Sequence, residues 1–227
     1  MRRAGLVAIV LGISGLGCGA EDPAVQPPAE TGLGCDASAP PTRTISCVAS
    51  FEPGKGAGFG EEYFPEIVYG EPLGQGTTGG STDVLSLGRG GSIVVGFGGN
   101  AIVDGAGPDF VVFENAFYAS GDPASVFAEL AEVSVSADGE AWETFPCAKG
   151  DKPPLGCAGY TPVNANRDLD ISPFDVAEAG GEAFDLAEVG LAEARFVRIR
   201  DLELGPGAEP TGGFDLDAVA IVNAKVP

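Results

Sequence analysis

Residues 84–117, VLSLGRGGSIVVGFGGNAIVDGAGPDFVVFENAF, carry the decisive pattern. Two apolar runs of strand character, 92–97 and 110–113, are joined by a loop of Gly, Asn, Asp and Pro. Ile93, Val95 and Phe97 share one face, and Val94 makes the other face apolar too, so the first run reads as covered on both sides. In the second run Phe110 and Val112 share one face, Val111 and Phe113 the other, and Glu114 and Asn115 follow directly. A carboxylate at the end of such a strand needs a cation, a donor cluster or water, because burying it unpaired is costly. Asp104 and Asp109 stand just before the same strand, and with Glu114 and Asn115 they are the first candidate site residues. The competing reading makes the Asp and Asn residues turn formers and pairs Glu114 with Arg89, Arg198 or Arg200.

Outward from this stretch, composition sets the class. The 227 residues include 36 glycines and 18 prolines, and long helical patterns are few, which predicts one all-β domain rich in turns. Arg2 and Arg3 precede an apolar run, 4–17, that is too short to span a bilayer and has the order of a secretory signal. Leu16-Gly17-Cys18 at its end resembles the lipobox of bacterial lipoproteins, although Gly15 departs from the usual branched residue; Cys18 is then the lipidated first residue. The expected organisation is a signal over 1–17, a lipidated, flexible tether over 18–46 and a β-sandwich domain over 47–227. Loss of Arg2 and Arg3 leaves 33 acids against ten bases. Such a charge repels nucleic acid and anionic lipid and suits divalent cations. The lipid holds the chain at an outer membrane or cell surface, and that is the expected contact with membrane.

Beyond Cys18, four cysteines remain: Cys35, Cys47, Cys147 and Cys157. In an oxidising compartment an even set reads as disulfides, and of three pairings the local ones, Cys35 with Cys47 and Cys147 with Cys157, close the shortest loops. The sequence has no CxxC spacing and no histidine, which speaks against a metal–thiolate site.

Further strands follow from period two. Residues 132–145, EVSVSADGEAWETF, predict a hairpin with its turn at Asp138-Gly139 and with Trp142 and Phe145 returning to the core. In ARFVRIRDL, residues 194–202, Val197 and Ile199 face in while Arg198 and Arg200 face out or pair with acids. The last element, GFDLDAVAIVN over 213–223, changes phase: Phe214 and Leu216 lie on one face, Val219 and Ile221 on the other. A bulge near Asp217 or an open strand end accounts for this, and both options put Asp215 and Asp217 on one side at a sheet rim.

SVSADGEAWETF, followed about fifty residues later by ARFVRIRDL and then by a closing strand, resembles the discoidin-type domains of the galactose-binding-like fold. Over residues 51–223 the chain is also similar to bacterial cell-surface lipoproteins, through DVLSLGRGGSIVVGF, NAIVDGAGPDFVVFENAF, EVSVSADG, ISPFD, GEAFDLAEVGLAEARFVRIRDL and GGFDLDAVAIVN. The resemblance implies a jelly-roll sandwich of two antiparallel sheets, with rim loops that bind carbohydrate and a structural calcium near the closing strand. Asp215 and Asp217 stand at about the place of the family's acidic residue.

Three functions compete. A non-catalytic, lipid-anchored surface domain holding calcium leads, with Asp104, Asp109, Glu114, Asn115, Asp215 and Asp217 as candidate ligands, since calcium takes six to eight oxygens in flexible geometry. Its expected partner is a carbohydrate or another surface protein, with Tyr118 and Tyr160 as candidate stacking residues. A glycoside hydrolase with paired carboxylates is the second function, and a structural assembly protein with neither site is the third. Without histidine, Ser-His and Cys-His mechanisms and histidine-bound zinc are excluded.

Overall fold

The structure is a computed structural model that describes residues 33–204 and 212–227. The expected signal over 1–17, Cys18 and the tether up to residue 32 lie outside the described residues. Within them the chain is almost wholly β, in short strands: β1 (Cys47–Glu52), β2 (Leu85–Ser86), β3 (Ser92–Gly96), β4 (Ile102–Val103), β5 (Phe110–Phe113), β6 (Phe117–Tyr118), β7 (Val126–Phe127), β8 (Ala131–Ser136), β9 (Glu143–Thr144), β10 (Glu182–Phe184), β11 (Glu193–Ala194), β12 (Phe196–Asp201), β13 (Asp215–Leu216) and β14 (Ala218–Ile221). Helix is confined to isolated turns, the longest being Val176–Ala179.

Every strand pairing is antiparallel. A five-stranded sheet runs β1-β3-β12-β8-β9, a three-stranded sheet runs β10-β5-β14, and β11-β4, β13-β2 and β6-β7 form two-stranded ribbons. Alternation places Ile93, Val95, Val133, Val135, Val197 and Ile199 of the larger sheet in one core with Phe110, Val112, Val219 and Ile221 of the smaller. The result is a sandwich-like all-β domain. Phe110, Phe145 and Phe184 lock its centre, with ring centroids 4.9–5.8 Å apart, and each side chain so buried contributes roughly 1.5–3 kcal/mol.

The smaller sheet is covered on its back as well. Val111, Phe113, Ala218 and Ala220 pack there on Val163, Ala165 and Ala179, which is why β5 and β14 read as unbroken apolar runs. For β3 the expectation of two-sided cover is corrected: Val94 is only half-buried, because its ladder neighbours are Ser50 and Arg198. Trp142 is likewise not core. The β8–β9 register sets Thr144 opposite Ser134, so Trp142, sharing the parity of Thr144, turns to the outer face and lies under Arg198 at 4.5 Å. Phe145 returns to the core as expected.

Disulfides join Cys35 to Cys47 and Cys147 to Cys157. The first lies on Gly96, where a Cβ would stand 2.8 Å from Cys35 Sγ and 2.9 Å from Cys47 Sγ. Residues 33–46, read from composition as the end of a tether, pack onto the domain. Ile45 is buried, and the Arg43 guanidinium donates to the Ile221 and Val222 carbonyls while resting on Phe174. The compact unit is therefore Leu33–Pro227.

Candidate metal centre

The site forms where β5 runs out of partners. Phe113, its last residue, pairs with Ala218 of β14, and Glu114 keeps the parity of Phe110 and Val112, so it is aimed between the sheets and is 2% exposed. The closing chain breaks at the same level. Asp217 N–H donates to the Phe113 carbonyl at 3.0 Å, and on either side of it the chain takes different partners, β13 on β2 and β14 on β5. This break is the phase change seen in GFDLDAVAIVN. It lets Phe214 and Leu216 enter the same core as Val219 and Ile221, and it sends Asp215 and Asp217 to different surroundings.

Asp215 meets Glu114 and Asn115. It stands opposite Ser86 in the β13–β2 register, and Asn115 Nδ2 donates to its Oδ2 at 3.2 Å. Four oxygens, Ser86 Oγ, Glu114 Oε2, Asn115 Oδ1 and Asp215 Oδ1, are buried without a hydrogen-bond partner, and among the described residues these are all the buried side-chain atoms in that condition. Gly80 backs the group: a Cβ there would lie 1.8 Å from Asn115 Oδ1. Each orphaned polar atom costs roughly 1–3 kcal/mol, and native proteins leave few of them. Three of these oxygens are acceptors without a donor and the fourth belongs to the Ser86 hydroxyl; a cation is one group that would satisfy such a set.

Electrostatics agree. Burial, then the neighbouring Asp215 carboxylate, push the Glu114 carboxyl well above the usual carboxylate range. Burial pushes Asp215 up to about 6, with Ser86 and Asn115 pulling it back. The Ser86 hydroxyl exerts that pull from close range although its Oγ makes no hydrogen bond of good geometry. No ion pair reaches Glu114 among the described residues.

Other buried or half-buried acids are spent on backbone N–H groups. Asp201 accepts from Gly90, Glu203 and Phe214, and Glu129 accepts from Gly213; together they fix the start of β13 and so the position of Asp215. Glu182 accepts from Gly159, Tyr160 and Thr161, yet burial still raises it to about 7. Among the described residues the hydrogen bond to Asp217 comes from Leu73 N–H, through both oxygens at 3.3 and 3.2 Å. Burial carries it to about 8, with Asp83 raising it and Arg167 lowering it.

The six acids and amides named from sequence thus do not converge. Asp109 and Glu114 stand at opposite ends of β5, and five residues of extended chain span about 16 Å, too far to share an ion. At the Asp109 end, Asp104, Asp109 and Asp185 each offer an oxygen, all within 4.8 Å of one another. Asp109 is already engaged there: Oδ1 accepts from Gly105 N–H and Asn223 Nδ2, and Oδ2 from Leu186 N–H. It clamps three loops, and Asp104 is exposed. Tyr160 lines a cleft of about 570 Å³. Tyr118 sits half-buried on β6, its N–H donating to the Thr77 carbonyl, outside that lining. Sequence reasoning missed Ser86 and Asp185. The signal for Ser86 was a lone hydroxyl between two core leucines, Leu85 and Leu87.

Compared with models of known protein families and with curated protein sequences, the chain matches none.

Proposed function

We propose that this chain is a non-catalytic, lipid-anchored cell-surface domain of the discoidin type, a galactose-binding-like jelly roll that holds calcium through Glu114, Asn115, Asp215 and Ser86. The carrying observation is the group of four orphaned oxygens from those residues. Calcium fits better than magnesium: the donors are all oxygens on short loops and strand ends, and calcium accepts irregular sets completed by backbone carbonyls and water. A carboxylate-based hydrolase is less favoured, because Glu114 and Asp215 are almost fully buried and do not face each other across an open cleft. The ion's role is structural. It ties the end of β5 to the β13–β2 ribbon, with carbohydrate or another envelope component as the partner of the surface loops. The Cys18 anchor rests on the signal-like 1–17 segment, and the sandwich-like sheets support the fold reading.

The test is thermal unfolding of the purified protein in millimolar calcium and in excess chelator. A ligand that binds only the native state raises stability by RT ln(1 + [L]/Kd), about 2.7 kcal/mol at a hundred times Kd. The wild-type midpoint rises with calcium, and the Glu114→Gln midpoint does not. No rise in the wild type removes calcium from the reading.

A further inference from the structure

A cleft that shares no lining residue with the metal centre has a different character. It encloses about 570 Å³, within the roughly 300–1,000 Å³ of small-ligand sites. Its lining combines the apolar Val126, Leu130 and Leu204 with Lys149, Lys152 and Tyr160. In a chain with 33 acids and 12 bases, two lysines three positions apart in the lining of one cleft are a local reversal of charge. Neither has an ion-pair partner among the described residues. Asp151, between them in sequence, also lines the cleft.

The wall is built to hold its shape. The Cys147–Cys157 disulfide closes the lysine loop, Ala148 N–H donates to the Leu155 carbonyl inside it, and Ala158 exchanges two 3.0 Å backbone bonds with Ala131 of β8. Tyr160 follows directly, and its N–H donates to Glu182 at 3.0 Å, with Gly159 and Thr161 N–H on the same carboxylate. A lining that combines a tyrosine, two lysines without an ion-pair partner among the described residues and several apolar side chains matches a molecule with a non-polar face and an anionic edge.

We propose that this cleft binds an acidic saccharide, with uronate carboxylates on Lys149 and Lys152 and the CH face of a sugar ring on Tyr160. The proposal rests on the reading of the chain as a binding domain and is independent of calcium. The overall charge selects within this class. A field of −21 repels dense polyanions such as nucleic acid or heavily sulfated glycans, but over a Debye length of about 8 Å it is screened, so isolated carboxylates on an otherwise neutral glycan reach the lysines.

The experiment is calorimetric titration of the purified protein with glucuronate-, galacturonate- and mannuronate-terminated oligosaccharides, their neutral counterparts and a heparin tetrasaccharide. At least one uronate-terminated sugar is expected to bind about tenfold or more tighter than its neutral counterpart and tighter than heparin. Lys149→Gln with Lys152→Gln brings that affinity down to the neutral level, and Tyr160→Ala weakens both sugars. Both lysines are exposed, so the double variant should keep the wild-type midpoint and its calcium response. No binding across the panel, equal binding of acidic and neutral sugars, preference for heparin, or full affinity in the double variant overturns the proposal. An intact calcium shift alongside any of these leaves the metal reading standing.

Discussion

Replacing Asp215 by Asn should act in opposite directions with and without calcium. In the chelated protein at pH 7.5, Asp215 is held ionised although its folded value is about 6 against an ordinary 3.8, a cost of up to about 3 kcal/mol. Asn at this position keeps an oxygen for the Asn115 amide and puts an NH₂ donor in place of the orphaned Oδ1, in a group that has unpartnered acceptors. The chelated variant should therefore be more stable than wild type. For a domain of this size 1 kcal/mol moves the midpoint roughly 2–4 °C, so the upper limit of the gain is about 6–12 °C. The folded value is raised, so the penalty on wild type grows as pH rises from 3.8 through about 6, and the variant's advantage fades toward pH 4. In saturating calcium the order is reversed or closed, because wild type gains the binding energy and the variant has lost a charged ligand. Differential scanning calorimetry at pH 4.5, 6 and 7.5, with chelator and with calcium, reads all of this. A variant that is less stable in chelator and keeps the calcium shift would refute the reasoning.

Further outcomes follow from the same geometry. The chelated wild type should lose stability as pH rises from about 4 to about 8, because the folded values of Glu182, Asp215 and Asp217 are raised to about 7, 6 and 8 and that of Glu114 is raised as well, so the unfolded chain gives up these protons before the native one does; calcium should flatten the Glu114 and Asp215 share of that slope in a midpoint-versus-pH series. Asp109→Ala leaves three donors, Gly105 N–H, Leu186 N–H and Asn223 Nδ2, unpaired, and should cost at least about 3 kcal/mol in chemical denaturation while the calcium shift persists. Gly80→Ala pushes on Asn115 Oδ1 from a Cβ 1.8 Å away and should weaken calcium binding about tenfold in a titration. Opening the Cys147–Cys157 loop by a double Ser substitution should cost about 2–3 kcal/mol for a sequence separation of 10.

Period two made much of the fold readable. The two-sided run in β5, the inward Val197 and Ile199 of β12 and the β8–β9 hairpin all follow from alternation, and the short cysteine spacings identify the disulfide pairs. What alternation cannot supply is which strand lies beside which. Val94 was misjudged because Ser50 and Arg198 become its neighbours only through pairing, and Trp142 because a hairpin's turn length fixes the parity of the returning strand. The site shows the same division. Glu114 and Asn115 announce themselves at the end of an apolar strand, and the break at Asp217 is visible as a phase change. That the break delivers Asp215 to them, and Asp217 to Leu73, depends on β13 and β14 taking different partners. The separation of Asp109 from Glu114 was legible in principle, since an extended strand between two residues sets their distance.

Calcium binding measured by equilibrium dialysis against chelator-stripped protein tests the central claim most directly, comparing wild type with Glu114→Gln and with Asp104→Asn. The account predicts calcium bound by wild type and by the Asp104 variant, and lost when Glu114 is neutralised. Calcium retained by Glu114→Gln and lost in Asp104→Asn would move the ion to the other end of β5 and contradict it, and no calcium bound by wild type would contradict it outright.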